Sequence, residues 1–317
     1  FYGFWGQCYN LYQDSTPHDG YGILSNWFKT LSQRQRQTPV PQSGYRHYVY
    51  TSNVDGHHRR SGEDEAALLE MHGCLNWWVC AAPGAPIEGP WSPPPSYRFS
   101  VDAATLRMDS SDSALTCNSS SSACHCQSSV EHSPLEAVFS NHHPSAGSRR
   151  LRPAVVMFDD NDLGVVPGLQ HRMDLYQEWE AEVEAALTSQ NSSRLVILEL
   201  GCGLRCPSIR RECEDVLEDC LRGAGMLMPE DDQPNQSGAY CGGVAATPSA
   251  VVVEVHKAAE PFSGECCTIP RILLIRVNID AAAHVAPRHP NFTLSIQEKA
   301  MVTLREINDK MMGQQQQ

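Results

Sequence analysis

The strand-like run Tyr48-Val49-Tyr50-Thr51 ends abruptly in Ser52-Asn53-Val54-Asp55-Gly56-His57-His58, a cluster of amide, carboxylate and imidazole groups. A lone His72 follows in Glu70-Met71-His72-Gly73. In a parallel sheet, ligands bind beyond the carboxyl ends of the strands, so polar side chains delivered there are placed for chemistry. An imidazole titrates near neutrality and can take up a proton at physiological pH. Each group also has a plainer reading. Asn and Asp commonly close turns after strands, and a single His before Gly is more often structural than catalytic.

The elements that must position these groups alternate along the chain. Residues 1–33 carry apolar positions at helical spacing (Tyr9, Tyr12, Ile23, Leu24, Trp27, Phe28, Leu31), with Pro17 separating two helices. Tyr45–Thr51, Ala154–Phe158, Arg194–Leu200, Val251–His256 and Arg271–Asn278 read as strands. The runs Leu195 to Leu198 and Ile272 to Ile275 are continuously apolar, as expected of parallel strands covered on both faces. Met173 to Leu187, Ser208 to Leu221 and Ser295 to Met311 read as helices, followed by a Gln314–Gln317 tail. This alternation predicts an α/β fold, a doubly wound parallel sheet. Two stretches depart from it: the Pro-, Ser- and Cys-rich residues 74–150, and the Gly-, Pro- and acid-rich residues 223–268.

The chain has 317 residues, enough for one large domain or two smaller ones, and ordinary proportions of charged (19%) and hydrophobic (41%) residues. A net charge of −13 argues against binding the nucleic-acid backbone and favours a basic peptide. No apolar run reaches membrane-spanning length. The 13 cysteines are scattered, and no secretory signal opens the chain. Reduced thiols and an intracellular location, cytoplasmic or nuclear, are therefore expected.

The blocks Thr51-Ser52-Asn53-Val54-Asp55-Gly56-His57-His58-Arg59-Arg60-Ser61-Gly62 and Glu70-Met71-His72-Gly73 together resemble the paired signature of sirtuins, the NAD-dependent protein deacylases. The resemblance implies a Rossmann-like NAD domain with a small inserted zinc-ribbon-type module. It implies NAD contacts at Ser52 (where most sirtuins have Gln), Asn53, Asp55 and His58. It implies that His72 is the general base, accepting a proton from a ribose hydroxyl. Leu151-Arg152-Pro153-Ala154-Val155-Val156-Met157-Phe158-Asp159 is similar to the family's peptide-binding strand, which makes Val156, Phe158 and Asp159 substrate contacts; Asp159 stands where Gly is usual. Gly201-Cys202-Gly203, followed by Pro207-Ser208-Ile209-Arg210, resembles the phosphate-side turn of a microbial and protist branch. A Gly-rich turn before a helix lets backbone approach phosphate, although a lone Gly-x-Gly is usually only a turn. Arg210 has two readings, a phosphate contact or a solvent-facing helix position. Asn278 matches the Asn that contacts the adenosine ribose.

The family's zinc site points to Cys80, Cys117, Cys124 and Cys126 as ligands, although Cys124-His125-Cys126 has one residue fewer than the usual spacing and Cys80 has no near partner. A regrouped zinc site and a metal-free module both remain open. The acidic residues Asp159, Asp160 and Asp162 are expected to face solvent. The domains implied are 1–72 with 153–312 for NAD, interrupted by 223–268, and 73–152 for the small module, leaving 313–317 as a tail. The family's first strand and Gly-rich turn would precede Phe1, so this chain is expected to be incomplete and itself inactive. The expected activity is transfer of an acyl group from protein lysine to ADP-ribose with release of nicotinamide. The alternatives are a sirtuin-like ADP-ribosyltransferase and a silent NAD- or ADP-ribose-binding module. The partner is an acylated lysine protein or peptide, with no nucleic acid and no membrane.

Overall fold

The computed structural model describes residues 1–33, 44–81, 90–108, 151–157, 160, 165–189, 193–227, 249–254 and 270–314. They form a mixed α/β structure of two compact units. The first comprises Phe1–Thr16, Val54–Gly56 and His72–Leu169, and the second Pro17–Asn53, His57–Met71 and Gln170–Gln317. This division by compactness gives Phe1–Thr16 to the smaller unit, where the boundaries read from sequence grouped it with residues 17–72.

In the larger unit, six strands form one sheet: β1 (His47–Thr51), β2 (Leu68–Glu70), β7 (Leu195–Leu200), β8 (Ser249–Glu254), β9 (Ile272–Val277) and β10 (Thr293–Ile296). Their spatial order is β10-β9-β7-β8-β1-β2. β1 runs parallel to β2, and β7, β9 and β10 are mutually parallel neighbours. β8 lies antiparallel to both β1 and β7, so those two share a direction. The carboxyl ends of the five co-directional strands, at Thr51, Glu70, Leu200, Val277 and Ile296, therefore meet one edge of the sheet.

Helices cover both faces because the strand side chains alternate between two apolar sets. On one face Val49, Leu68, Leu198, Leu200 and Val277 pack against Leu24 and Phe28 of α2 (Asp19–Gln33) and Leu304 of α6 (Ala300–Gln314). On the other, Tyr48 and Tyr50 meet Tyr176 of α4 (Leu169–Ser189), with ring centroids 5.1 and 4.9 Å apart. α5 (Ser208–Gly223) packs on β7 and β9 through buried Ile209, Cys213, Val216, Leu217 and Cys220. Each fully buried large side chain contributes roughly 1.5–3 kcal/mol of hydrophobic stabilisation.

The smaller unit is built on α1 (Tyr2–Asp14), β3 (Gly73–Cys80), β4 (Val101–Asp102), β5 (Arg107–Met108) and β6 (Leu151–Val155). β3 and β6 pair antiparallel, and Tyr9, Trp78, Phe99 and Leu151 close its core. Tyr9 of α1 sits in that core, which is the physical reason the first helix belongs to this unit.

Several elements differ from those read in the sequence. Gly73–Cys80 is a strand within a stretch read as an irregular module. The expected helix from Ser295 is a four-residue edge strand, β10, followed by α6 from Ala300. The strand read at Ala154–Phe158 spans Leu151–Val155 instead. Among the described residues, no helix is long and apolar enough to cross a membrane.

Candidate functional site

β1 delivers Ser52 and Asn53 just beyond its carboxyl end. The Thr51 hydroxyl accepts a hydrogen bond from the Asn53 amide N–H (3.1 Å), which bends the chain off the strand axis. Asn53 is buried and Ser52 half-buried. The chain leaves the larger unit through Val54, Asp55 and Gly56 and returns at α3 (His57–Arg60). Arg59 anchors that short helix by ion pairs to Glu70 at the tip of β2 (2.8 Å) and to Glu65. His58 is thereby held with its ring edge-on to Tyr21, centroids 4.8 Å apart. Only 5% of His58 is exposed. Burial, with His57 and His18 nearby, pushes its pKa down to about 4, so the ring is neutral at physiological pH. Its Nε2 has no hydrogen-bond partner among the described residues.

The turn after β7 is built around a buried charge cluster. Gly201 adopts a φ of +70°, and its N–H donates to the Val277 carbonyl (2.9 Å). The next carbonyl, of Cys202, accepts from the Asn278 side-chain amide (3.0 Å) and from Arg210 (3.1 Å). A Cβ at Gly201 or Gly203 would meet nothing within 4 Å, so backbone at both positions is open to close approach. Behind the turn Glu199, wholly buried, accepts from Arg276 Nε (2.8 Å) and Arg210 (3.2 Å). Arg276 also pairs with Glu214 (2.9 Å).

Arg210 is therefore not a solvent-facing residue; a carboxylate inside the strand draws it into the core. Asn278 is committed to the loop, its amide to Cys202 and its oxygen to the Asp280 N–H (2.9 Å). Burial raises the Cys202 thiol well above its ordinary range, which keeps it protonated and poorly nucleophilic.

Asn53, His58, Leu200 and Gly201 line one cavity of about 140 Å³, completed by His18, Gly20, Tyr21 and Leu24 from the start of α2 and by Ala300 and Leu304 of α6. It lies within the larger unit, at the carboxyl edge of β1 and β7, the two strands that flank β8.

Asp55 and His72 belong to the smaller unit. Asp55 is buried, and His72 is half-buried, its pKa lowered by that burial. The His72 carbonyl accepts from the Val156 N–H (2.9 Å), which ties the His72 backbone to the end of β6. Gly73 has a φ of +84°, and a Cβ there would lie 2.1 Å from the Ala154 carbonyl oxygen. Gly56 is also left-handed, at +67°, and a Cβ there would lie 2.5 Å from Asn76 Nδ2. Of the peptide-contact residues expected from sequence, Val156 is half-buried, while Phe158 and Asp159 lie outside the described residues. Asp160 does not face solvent freely: Arg152 grips it through two contacts (2.9 and 2.6 Å), and it accepts from the Met157 N–H (2.8 Å). Those bonds hold its carboxyl below the usual range.

Of the four expected zinc ligands, Cys80 is half-buried at the end of β3, and Cys117, Cys124 and Cys126 lie outside the described residues. Among the described residues, no group of three or more His, Cys, Asp or Glu side chains is placed to hold a metal ion. The described residues alone do not make a zinc site.

The Glu199–Arg276–Arg210 cluster and the contributions of His18 and Tyr21 were not singled out from sequence. One signal was available: Glu199 interrupts an otherwise apolar strand, and a buried carboxylate demands a cationic partner. No family model matches this chain, and no curated protein matches it.

Proposed function

We propose that this chain is a Rossmann-like, sirtuin-type domain whose activity is NAD-dependent removal of acyl groups from protein lysine. The observation that carries the proposal is the convergence of Asn53, His58 and Gly201 on one cavity at the carboxyl edge of the sheet. Chain order supports it. β1 and β2 step outward in one direction and β7, β9 and β10 in the other, so the winding reverses across β8. β8 itself is antiparallel and follows β7 in the chain, but the other five strands step outward as strands 2, 3 and 4, 5, 6 of dinucleotide-binding sheets do, and such sheets hold their ligand at the reversal.

The residues present suit a dinucleotide. Gly201 and Gly203 offer backbone with open space where a side chain would stand, and α5 begins shortly after them. Asn53 supplies an amide suited to a carboxamide or a sugar hydroxyl, with Ser52 before it in the chain. Asn278 acts by fixing the Cys202 carbonyl and hence the course of the turn. NAD, when bound, supplies a ribose carbon activated by its bond to nicotinamide. The family resemblance would make His72, whose pKa burial lowers, the group that takes up a proton from a ribose hydroxyl. The zinc-ribbon reading of the smaller unit rests on cysteines outside the described residues, and no step is derived from it.

The test is nicotinamide release by the protein given NAD and an acyl-lysine peptide, wild type against His72→Ala. Peptide-dependent release that His72→Ala abolishes is expected. Peptide-independent release makes the protein an ADP-ribosyltransferase or NAD-consuming enzyme instead. NAD binding without release makes it a silent binding module.

A further inference from the structure

Three imidazoles meet on one phenol ring at the start of α2. The Tyr21 ring has His18 at 4.7 Å, His58 at 4.8 Å and His57 at 5.6 Å between ring centroids. Two of the three are placed so that an added proton does not fit. His18 Nδ1 accepts the Gly20 N–H (3.1 Å) in the first turn of α2, a bond that an imidazolium, which only donates, cannot keep. His58 is 5% exposed and makes no ion pair among the described residues. The charges facing it from α2 and α3 are those of His18 and His57, which oppose another positive charge. The carboxylates on the elements around it are already held: Glu65 and Glu70 by Arg59, Glu63 by His47, Asp19 by Arg305, and Glu298 by the Lys299 N–H. Arg60 on α3 and Lys299 before α6 add only further positive charge.

We propose that this cluster is a pH-sensitive latch: proton uptake by His18 and His58 releases α3 from Tyr21 and loosens the cavity wall that His18, Tyr21 and His58 share. α3 is four residues long, too short to persist without packing, and Arg59 remains as its tether when the ring contacts go. The carbonyls of His57, His58 and Arg59 accept from the Ser61, Gly62 and Glu63 amides, so release exposes a defined set of N–H groups. His58 sets the sign. Its value of about 4 in the closed form lies below the ordinary imidazole value of about 6.5, so the latch is fully seated above pH 6.5 and gives way as pH falls toward 4. Between pH 7.5 and 5 that difference alone shifts the release equilibrium about 30-fold toward the open form. The device is independent of which ligand the cavity takes.

The experiment is hydrogen–deuterium exchange of the chain at pH 7.5 and pH 5, read by mass spectrometry and corrected for the pH dependence of intrinsic exchange. Wild type is compared with His58→Phe, which keeps a ring against Tyr21 but takes up no proton. A second variant, His18→Asn, carries an amide oxygen that can cap α2 at either pH. In wild type the Ser61, Gly62 and Glu63 amides are expected to open about 30-fold more at pH 5, while Leu195–Leu200 and Ile272–Val277 keep their protection. His58→Phe is expected to cut the α3 change to less than about threefold, and His18→Asn to preserve the Gly20 amide at pH 5. An α3 change that persists in full in His58→Phe overturns the proposal, as does equal wild-type protection at the two pH values. Loss of protection across the whole sheet at pH 5 also overturns it, because that reports global acid unfolding in place of a local release. If His58→Phe does not fold, NMR titration of the wild-type histidine side chains carries the test. One imidazole that stays neutral to below about pH 5.5 upholds the latch, and all of them titrating together near about 6.5 overturns it.

Discussion

Glu199 offers the sharpest test of how the turn after β7 is held. It sits at 0% exposure, with Arg276 Nε at 2.8 Å and Arg210 at 3.2 Å. At such separations, each contact between unit charges is worth about 5–6 kcal/mol gross at an effective dielectric of about 20. Desolvation of three buried charges offsets most of that, so the cluster adds little net stability over apolar packing. Removing one member is a different matter. Glu199→Ala leaves Arg210 with only the Cys202 carbonyl and Arg276 with only Glu214 among the bonds described above, and stranding buried charge in this way costs about 3–5 kcal/mol. Glu199→Gln keeps an acceptor in place and loses charge alone, so about 1.5–3 kcal/mol is expected. Urea denaturation followed by tryptophan fluorescence measures both, and at a slope of roughly 2–3 kcal/mol per molar the alanine variant should shift the midpoint by about 1–2.5 M. Because Arg210 and Asn278 meet on the Cys202 carbonyl, the turn itself should also loosen in conditions where the variant remains folded. A loss below about 1 kcal/mol for Glu199→Ala would refute the argument, since it would place the cluster in water rather than in the core.

Two further outcomes follow from local geometry. Gly73→Ala adds a Cβ at 2.1 Å from the Ala154 carbonyl oxygen on a left-handed backbone, so β3 and β6 must separate; a loss of more than about 2 kcal/mol is expected by the same denaturation assay, and a neutral substitution would contradict the geometry. Glu180 carries a carboxyl pushed up to about 8 by burial and by Glu212, Glu184, Asp219 and Asp215; it stays protonated in the folded chain where the unfolded chain has already released its proton, so stability should fall as pH rises from about 4.5 through about 8. Glu180→Gln should flatten that slope and raise stability at pH 8 by on the order of 1 kcal/mol, a figure reduced because the carboxyl keeps contact with solvent; thermal melts across pH with an unchanged slope would exclude this origin.

The parts of the fold legible in sequence were those where one residue type dominates. Leu195–Leu200 and Ile272–Val277 are unbroken enough that only a buried strand suits them, and Pro17 divides two helices where the chain turns. Short or mixed segments were harder. Thr293–Ile296 is only four residues long, and its polar neighbours let it pass for the start of a helix. Gly73–Cys80 has the aromatic and β-branched content of a strand, but its two cysteines and the prolines after it drew attention to a metal module. Arg210 was misplaced for another reason. A charged residue on an amphipathic helix normally faces water, and its actual partner lies eleven positions earlier on a different element. Pairings of that kind are set by tertiary packing and leave only an indirect trace, the acidic residue inside an apolar strand.

The same reasoning separates two kinds of residue inside the motif that first drew attention. Gly56 and Gly73 are favoured by backbone alone, since both are left-handed and at Gly73 the Ala154 carbonyl oxygen leaves no room for a Cβ. They stand where the chain passes between units, near the joins at 53/54, 56/57 and 71/72. Asp-Gly and His-Gly would therefore suit this fold even in a protein without catalysis, and neither pair by itself argues for chemistry. Asn53 and His58 are different. Nothing in the backbone calls for an imidazole at 58, and placing one out of water with Nε2 unsatisfied costs stability that Leu or Phe would not. A residue that is costly to the fold in this way is better explained by the proton it gains on release than by what surrounds it when buried. Substitutions at 56 and 73 should accordingly be read in melting curves, those at 53 in binding, and those at 58 in the pH dependence of exchange.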